Sequence, residues 1–185
     1  MITETMSIEG VVLLTPRRFT DERGYFCESY NKRTLKDAGI DINFLQDNHS
    51  LSIDVGTLRG LHYQAPPFAQ TKLVRCLSGS ILDVVVDARR DSPTFGHWVS
   101  AELTKENGVQ ILVPKGCLHG FVTRSQNAEV SYKVDAHYDK QSDGSVMWND
   151  PDLAIDWGLE NTPPIISQKD TDAQTWSAFV ASGVF

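Results

Sequence analysis

The 185-residue sequence predicts an all-β fold, an antiparallel sandwich or barrel with a few short helices. Three observations carry that expectation. Turn signals recur roughly every 8–12 residues through the middle of the chain. The runs between them mostly alternate apolar and polar residues, as a half-buried strand does. Helical patterning is confined to Lys32–Ala38 and to the tail from Asp172.

Taken in order, VVLLTP (Val11 to Pro16) reads as a strand, RFTDERG as a polar turn, and YFCESY (Tyr25 to Tyr30) as an alternating strand. Asn31 is placed to cap a short helix, KRTLKDAG, that ends at Gly39. Leu45 to Ser52 is a polar strand with Gln46, Asn48, Ser50 and Ser52 on one face, so that face meets solvent or a polar cavity. The next two strands, TLRGLHYQ and TKLVRCLS, flank a proline-bearing loop, QAPPFAQT. If they pair, His62 and Lys72 face the same space, with Lys72 on the inward side beside Val74 and Cys76. Ile81 to Val86 reads as a strand buried on both faces. RRDSPTFG is a turn, and strands follow at His97 to Leu103, Val109 to Val113, His119 to Thr123 and Ala128 to Val134. No repeat, low-complexity tract or domain boundary is visible. Residues 1–185 are therefore expected to form a single domain, its barrel core at about 45–135 and its N-terminal strands and C-terminal helical tail packed on it.

Composition narrows the function classes. Hydrophobic residues are 41% and charged residues 22%, ordinary for a globular protein. A net charge of −7 argues against non-specific nucleic-acid binding, so an anionic ligand needs a local basic cluster. Cys27, Cys76 and Cys117 form no CxxC pair and suggest neither a disulfide framework nor a zinc ribbon. No apolar run approaches the roughly 18 residues of a membrane span, and MITETMSIEG is not a signal peptide. The chain is expected to be cytoplasmic, with neither nucleic acid nor membrane as partner.

Gly108, Pro114, Gly116 and His119 fit G-x5-P-x-G-x2-H, which resembles the second motif of the cupin superfamily. That resemblance implies a jelly-roll β-barrel (a double-stranded β-helix). Metal cupins add an H-x-H and a glutamate on an earlier strand. Here that place reads His62-Tyr63-Gln64, with no glutamate close behind, too few ligands for a metal. The expectation is a metal-free cupin whose histidines are available for acid–base work.

The resemblance then narrows. The blocks Arg23-Gly24-Tyr25-Phe26, Gln46 to Ser52, Leu58 to Gln64, Pro66 to Arg75, Asp83 to Arg89, Ser92 to Trp98, Pro114 to Phe121, Tyr132-Lys133, Trp148 to Pro151 and Ser167 to Asp170 occur in the order found in dTDP-4-dehydrorhamnose 3,5-epimerases. The similarity spans about Val11 to Asp170. It implies proton abstraction and return at C3 and C5 of dTDP-4-dehydro-6-deoxy-D-glucose, giving dTDP-4-dehydro-L-rhamnose for dTDP-L-rhamnose biosynthesis, with no metal or cofactor. It implies His62 as base, Asp170 as the partner of its other ring nitrogen, Tyr132 as the acid on the opposite face and Lys72 at the enolate oxygen. Arg23, Arg59 and Lys169 are implied for the pyrophosphate. Phe26, Glu28, Gln46, Asp47, Asn48, His119 and Asp143 are implied as further substrate contacts, and Tyr138 as the residue stacking on thymine. The loop after Tyr138 departs from the family pattern at Lys140 and Ser145, with Gly144 displaced by one. A homodimer is implied, with Val11–Leu14 as an edge that pairs across it. On the residues alone Asp170 is also an N-cap for a helix starting at Thr171. The tail WSAFVASGVF is expected to dock on the barrel or on a partner. Alternatives are an epimerase acting only at C3 or only at C5, a metal-free cupin that binds a sugar nucleotide without turning it over, and a metal-dependent cupin oxygenase.

Overall fold

The structure, a computed structural model, describes residues 1–160 and 162–185. Its strands are β1 (Ile2–Thr5), β2 (Val12–Thr15), β3 (Arg18–Asp21), β4 (Gly24–Cys27), β5 (Gln46–Ser52), β6 (Leu58–Gln64), β7 (Lys72–Ser78), β8 (Ser80–Asp87), β9 (Trp98–Thr104), β10 (Gln110–Val113), β11 (Cys117–Thr123), β12 (Ala128–Val134) and β13 (Asp143–Ser145). Three short helices, α1 (Lys32–Asp37), α2 (Gln168–Thr171) and α3 (Trp176–Ser182), complete the described elements.

Two antiparallel sheets face each other. One has six strands in the order β1-β2-β10-β7-β12-β5, the other five in the order β13-β6-β11-β8-β9. Between them lies an inner core that includes Val74, Cys76, Ile81, Val85, Ile111, Phe121 and Val130. This is the antiparallel sandwich the turn spacing predicts and the jelly roll the cupin resemblance implies. β8 is buried on both sides as expected: Ile81 and Val85 point into the inner core, and Val84 and Val86 into an outer core. That outer core is closed by the C-terminal segment, where Leu153, Trp157, Trp176 and Phe179 cover the five-stranded sheet. The tail thus docks on its own barrel. Asn31 caps α1, accepting from the backbone N–H groups of Arg33 and Thr34, and Leu35 packs that helix over Leu14, Leu73 and Leu112.

Four expectations need correction. β6 and β7 do not pair: β6 lies between β13 and β11, and β7 between β10 and β12. His62 and Lys72 therefore approach one another from opposed sheets and not along a hairpin. The β2 run is no edge, because β1 pairs along it and supplies the edge instead. Most of the polar turn RFTDERG is strand β3, paired with a β4 that stops at Cys27. Asp170 does not cap a helix. Ser167 is the cap, its hydroxyl accepting from Asp170 N at 3.2 Å, and Asp170 sits three residues in.

β6 carries a bulge that shapes the site. His62 pairs with His119 and Arg59 pairs with Phe121, so Gly60 and Leu61 together oppose the single residue Gly120. Leu58, Leu61 and Tyr63 join the outer core, while Arg59 and His62 both turn inward. Unbroken alternation puts residues three apart on opposite faces; the bulge puts these two on one face. Glycine is required there. A Cβ on Gly60 would lie 2.5 Å from Gly120 Cα and 2.9 Å from the His119 carbonyl oxygen, and its φ is +133°.

Candidate active site

Between the sheets opens a cavity of about 170 Å3 lined by His49, Ser50, Arg59, His62, Lys72, His119, Phe121 and Tyr132. Larger hollows lie beside Arg75 and Lys133 and beside Ile40 and Leu112. The first is lined by Tyr132 but by no histidine, and the second by no histidine, lysine or tyrosine. The 170 Å3 cavity is the one that brings His62, Lys72 and Tyr132 together.

His62 stands on the five-stranded sheet. Its Nε2 is 2.5 Å from Asp170 Oδ1, and Ser167 Oγ donates to Asp170 Oδ2 at 2.8 Å. Burial is the largest influence on His62 and lowers its pKa; the Asp170 bond raises it, Lys72 and Lys169 lower it, and the net is below the ordinary value of 6.5. For Asp170, burial works upward, but the bonds from His62 and Ser167 outweigh it and hold the carboxyl below its ordinary range. At neutral pH the pair is therefore a neutral imidazole donating Nε2–H to a carboxylate. That leaves Nδ1 as the free lone pair, the arrangement a general base needs.

The opposite wall is the six-stranded sheet. Tyr132 projects from β12, and burial raises its phenol above the ordinary value, so it stays protonated through the neutral range. Lys72 projects from β7 on the inward side with Val74, as its alternation predicts. Burial pulls Lys72 down to about 8, with Asp83 and Asp143 resisting the fall. A base and an acid thus face each other across one cavity with a cation beside them.

Asp83 is the residue sequence reasoning missed. It is fully buried on β8, with Oδ2 2.8 Å from His119 Nε2 and Oδ1 without a hydrogen-bond partner among the described residues. A signal was available: an aspartate inside a strand read as buried on both faces must be paired. His119, itself nearly buried, is thereby tied into a second His–Asp pair.

The remaining candidates divide by place. Arg59 lines the cavity, anchored through Ser52 Oγ at 3.2 Å and the Leu51 carbonyl at 3.1 Å. The polar face of β5 points inward, with Asn48 opposite Tyr132 and Gln46 bonded to Asn48 at 2.8 Å. Asp47 points to the other side of the sheet and pairs with Lys133. At the start of β13, Asp143 accepts from Lys169 at 2.6 Å and from Tyr138 at 3.2 Å, with Tyr138 itself exposed. Arg23, Phe26 and Glu28 lie on or beside the β3–β4 hairpin and do not line the cavity. Arg23 pairs with Asp21, Glu28 accepts from Thr34, and Phe26 is 69% exposed. Gln64, at the place of a metal cupin's second histidine, spends its buried amide on loop backbone: it donates to the Phe68 and His137 carbonyls and accepts from Asp139 N.

The charge states set a pH window. Activity that needs neutral His62 and charged Lys72 rises through a His62 titration below 6.5 and falls through Lys72 at about 8. The pH profile of kcat/KM is expected to be a bell with those limbs. Lys72→Arg, which keeps its charge, should lose the alkaline limb; a limb that stays near 8 in that variant would assign it to another group.

Comparison with known proteins places this geometry in context. A family model described as dTDP-4-dehydrorhamnose 3,5-epimerase matches residues 5–178. The dTDP-4-dehydrorhamnose 3,5-epimerase of Sinorhizobium fredii is 47% identical over 171 residues, 92% of this chain and 87% of that protein. The crystal structure of the Bacillus anthracis dTDP-4-dehydrorhamnose 3,5-epimerase with TDP and PPi bound superposes with a TM-score of 0.91 at 46% identity, covering 94% of this chain and 98% of that one. The Legionella pneumophila epimerase in complex with dTDP-4-keto-L-rhamnose gives a TM-score of 0.93 at 40% identity, covering 99% and 96%.

Proposed function

Because the chain belongs to the dTDP-4-dehydrorhamnose 3,5-epimerase family, and is thus an isomerase acting on a dTDP-sugar, we propose that its cavity carries out the two epimerisations with the residues described above. The C4 ketone of dTDP-4-dehydro-6-deoxy-D-glucose acidifies the protons on C3 and C5. His62 Nδ1 takes each proton while Asp170 holds the other ring nitrogen and steadies the charge that develops. The electrons move onto the C4 oxygen, where the Lys72 ammonium stabilises the enolate. Tyr132 returns a proton from the opposite wall, which inverts the carbon. His119, its Nε2 hydrogen committed to Asp83, presents Nδ1 as an acceptor for a sugar hydroxyl. Arg59 serves the pyrophosphate, with Lys169, Asp143 and Tyr138 along the rim and Gln46 and Asn48 beside the acid. The observation that carries this reading is the placement of His62 with Asp170 and of Tyr132 on opposed walls of one cavity.

The test is NMR of the dTDP-4-keto-6-deoxy sugar in D2O with the enzyme. Deuterium is expected at both C3 and C5. Label at one carbon alone would make the protein a mono-epimerase, and label at neither would remove the catalytic reading.

Arg23, Phe26 and Glu28 are presented away from their own chain's cavity. A homodimer in which the hairpin reaches the site of a second copy gives them a ligand to touch. A sedimentation mass of one chain at assay concentrations would rule that arrangement out. We read residues 1–185 as one epimerase domain, since the tail supplies Asp170 to a base held in the barrel. Among the described residues no helix is long and apolar enough to cross a membrane.

A further inference from the structure

Asp170 reaches His62 from 108 residues away in the chain, on a helix of four residues. So short a helix cannot fix a carboxylate by itself. The segment is held at its two ends. Upstream, Ile165 donates to the Gly56 carbonyl and accepts from Leu58 N, each at 2.9 Å. Downstream, Gln174 donates through its backbone to Ser145 at 3.3 Å and accepts from Met147 N at 2.8 Å. β13 in turn pairs with β6, with Ser145 opposite His62 and Gly144 opposite Tyr63. Both anchors lead back to β6, one on each side of the base.

A single side-chain bond closes the downstream anchor onto β6 directly. Gln174 Nε2 donates to the Tyr63 hydroxyl at 2.9 Å, and Tyr63 is the residue after His62. The Tyr63 ring is buried against Phe179 and Phe185, centroids 5.1 and 5.8 Å away. It also lies on Gly144, where a Cβ would come within 2.4 Å of its Cζ and hydroxyl. Packing accounts for the ring and does not account for the hydroxyl. Phenylalanine would fill the same nest without burying a polar atom. Among the described residues that hydroxyl has one hydrogen-bond partner, Gln174.

We infer that Tyr63 and Gln174 are positioning residues for the catalytic base, their hydrogen bond keeping the Asp170 segment in register with the strand that carries His62. The inference rests on the reading of His62 as base. Neither residue touches the cavity; both act through the His62–Asp170 contact. Opening the clasp lets Asp170 withdraw from the imidazole. Burial lowers the His62 titration and the Asp170 bond raises it, so a weakened bond moves the titration further down and leaves a weaker, less well oriented base.

The test uses Tyr63→Phe and Gln174→Leu in the full chain, which break the bond from opposite sides while the aromatic nest stays filled. Expected are a kcat about tenfold lower with KM held within about twofold, and an acid limb of kcat/KM moved to lower pH. The His62 imidazole titration, followed by 15N NMR, should move the same way. In an Asp170→Asn background neither substitution should cost further activity, because the contact they protect is already lost. The inference is overturned if kcat and the acid limb are unchanged in both variants. It is equally overturned if activity falls with thermal stability while the His62 titration stays in place, or if the losses add to that of Asp170→Asn. Should the wild-type protein show no exchange at C3 or C5, the assignment of His62 as base is what fails, and the 15N titration still decides the clasp.

Discussion

His62→Ala is expected to lower kcat/KM by about 10^3-fold or more and to remove deuterium exchange at both C3 and C5. The size follows from what the side chain does. It is the cavity-facing imidazole bonded to Asp170, and the bond at 2.5 Å fixes which nitrogen is left free. Alanine leaves Asp170 without the imidazole it holds and removes the base from that wall of the cavity. Loss at both carbons together is the informative part, because one base then serves both positions from one face of the sugar. Exchange surviving at one carbon would mean two bases. The second would be His119, the other cavity histidine with an aspartate behind it. Single-turnover assays in D2O separate these outcomes, and a circular dichroism spectrum matching the parent establishes that the variant is folded.

Tyr132→Phe is expected to act on a different step. It should cut epimerised product by about 10^2-fold while reducing proton exchange much less. Phenylalanine keeps the ring on β12 and removes the proton held across the cavity from the base. The enolate still forms, and His62 then returns a solvent-derived deuteron to the face it came from, giving labelled but unepimerised sugar. Burial helps the native residue in this role, since a phenol raised above its ordinary value stays protonated through the neutral range, where His62 is already neutral. The measurement is the ratio of deuterium incorporated to product formed, which should rise above that of the parent. Equal losses in both would show that Tyr132 is not simply the reprotonating acid.

Much of this site was legible in the sequence because strand alternation is a local property. Lys72 with Val74 and Cys76 on one face, and the inward polar face of β5, follow from counting residues by two. The two-sided burial of β8 follows from its unbroken apolar run. Sheet membership is a different matter. His62 and Lys72 are ten residues apart with a loop between them, the usual setting of a hairpin, yet the chain crosses from one sheet to the other there. Only long-range pairing decides that. β1 and β3 escaped notice because they are short and largely exposed, so their residues carry no hydrophobic alternation. Asp170 is legible only through its place in a family block, Ser167 to Asp170. Its environment, a Ser167 cap with the carboxylate turned back onto a strand more than a hundred residues earlier, has no local signature. Tyr63 gave no functional signal either, because a tyrosine in a strand is ordinary until its hydroxyl partner is seen.

The bulge in β6 has a metric consequence. It puts Arg59 and His62 on one wall of the cavity, with the spacing of their backbone positions set by the strand. With Arg59 on the diphosphate and His62 at a ring carbon, as proposed above, this stretch of strand would gauge the distance from phosphate to sugar. A substrate of the wrong length that is anchored at Arg59 presents the wrong atom to the base. Gly60 and Gly120, pressed together where no side chain fits, keep the spacing of that gauge. Deleting Gly60 or Leu61 would remove the bulge and leave Arg59 and His62 two residues apart, still on one face by plain alternation but without the extra residue that sets their spacing.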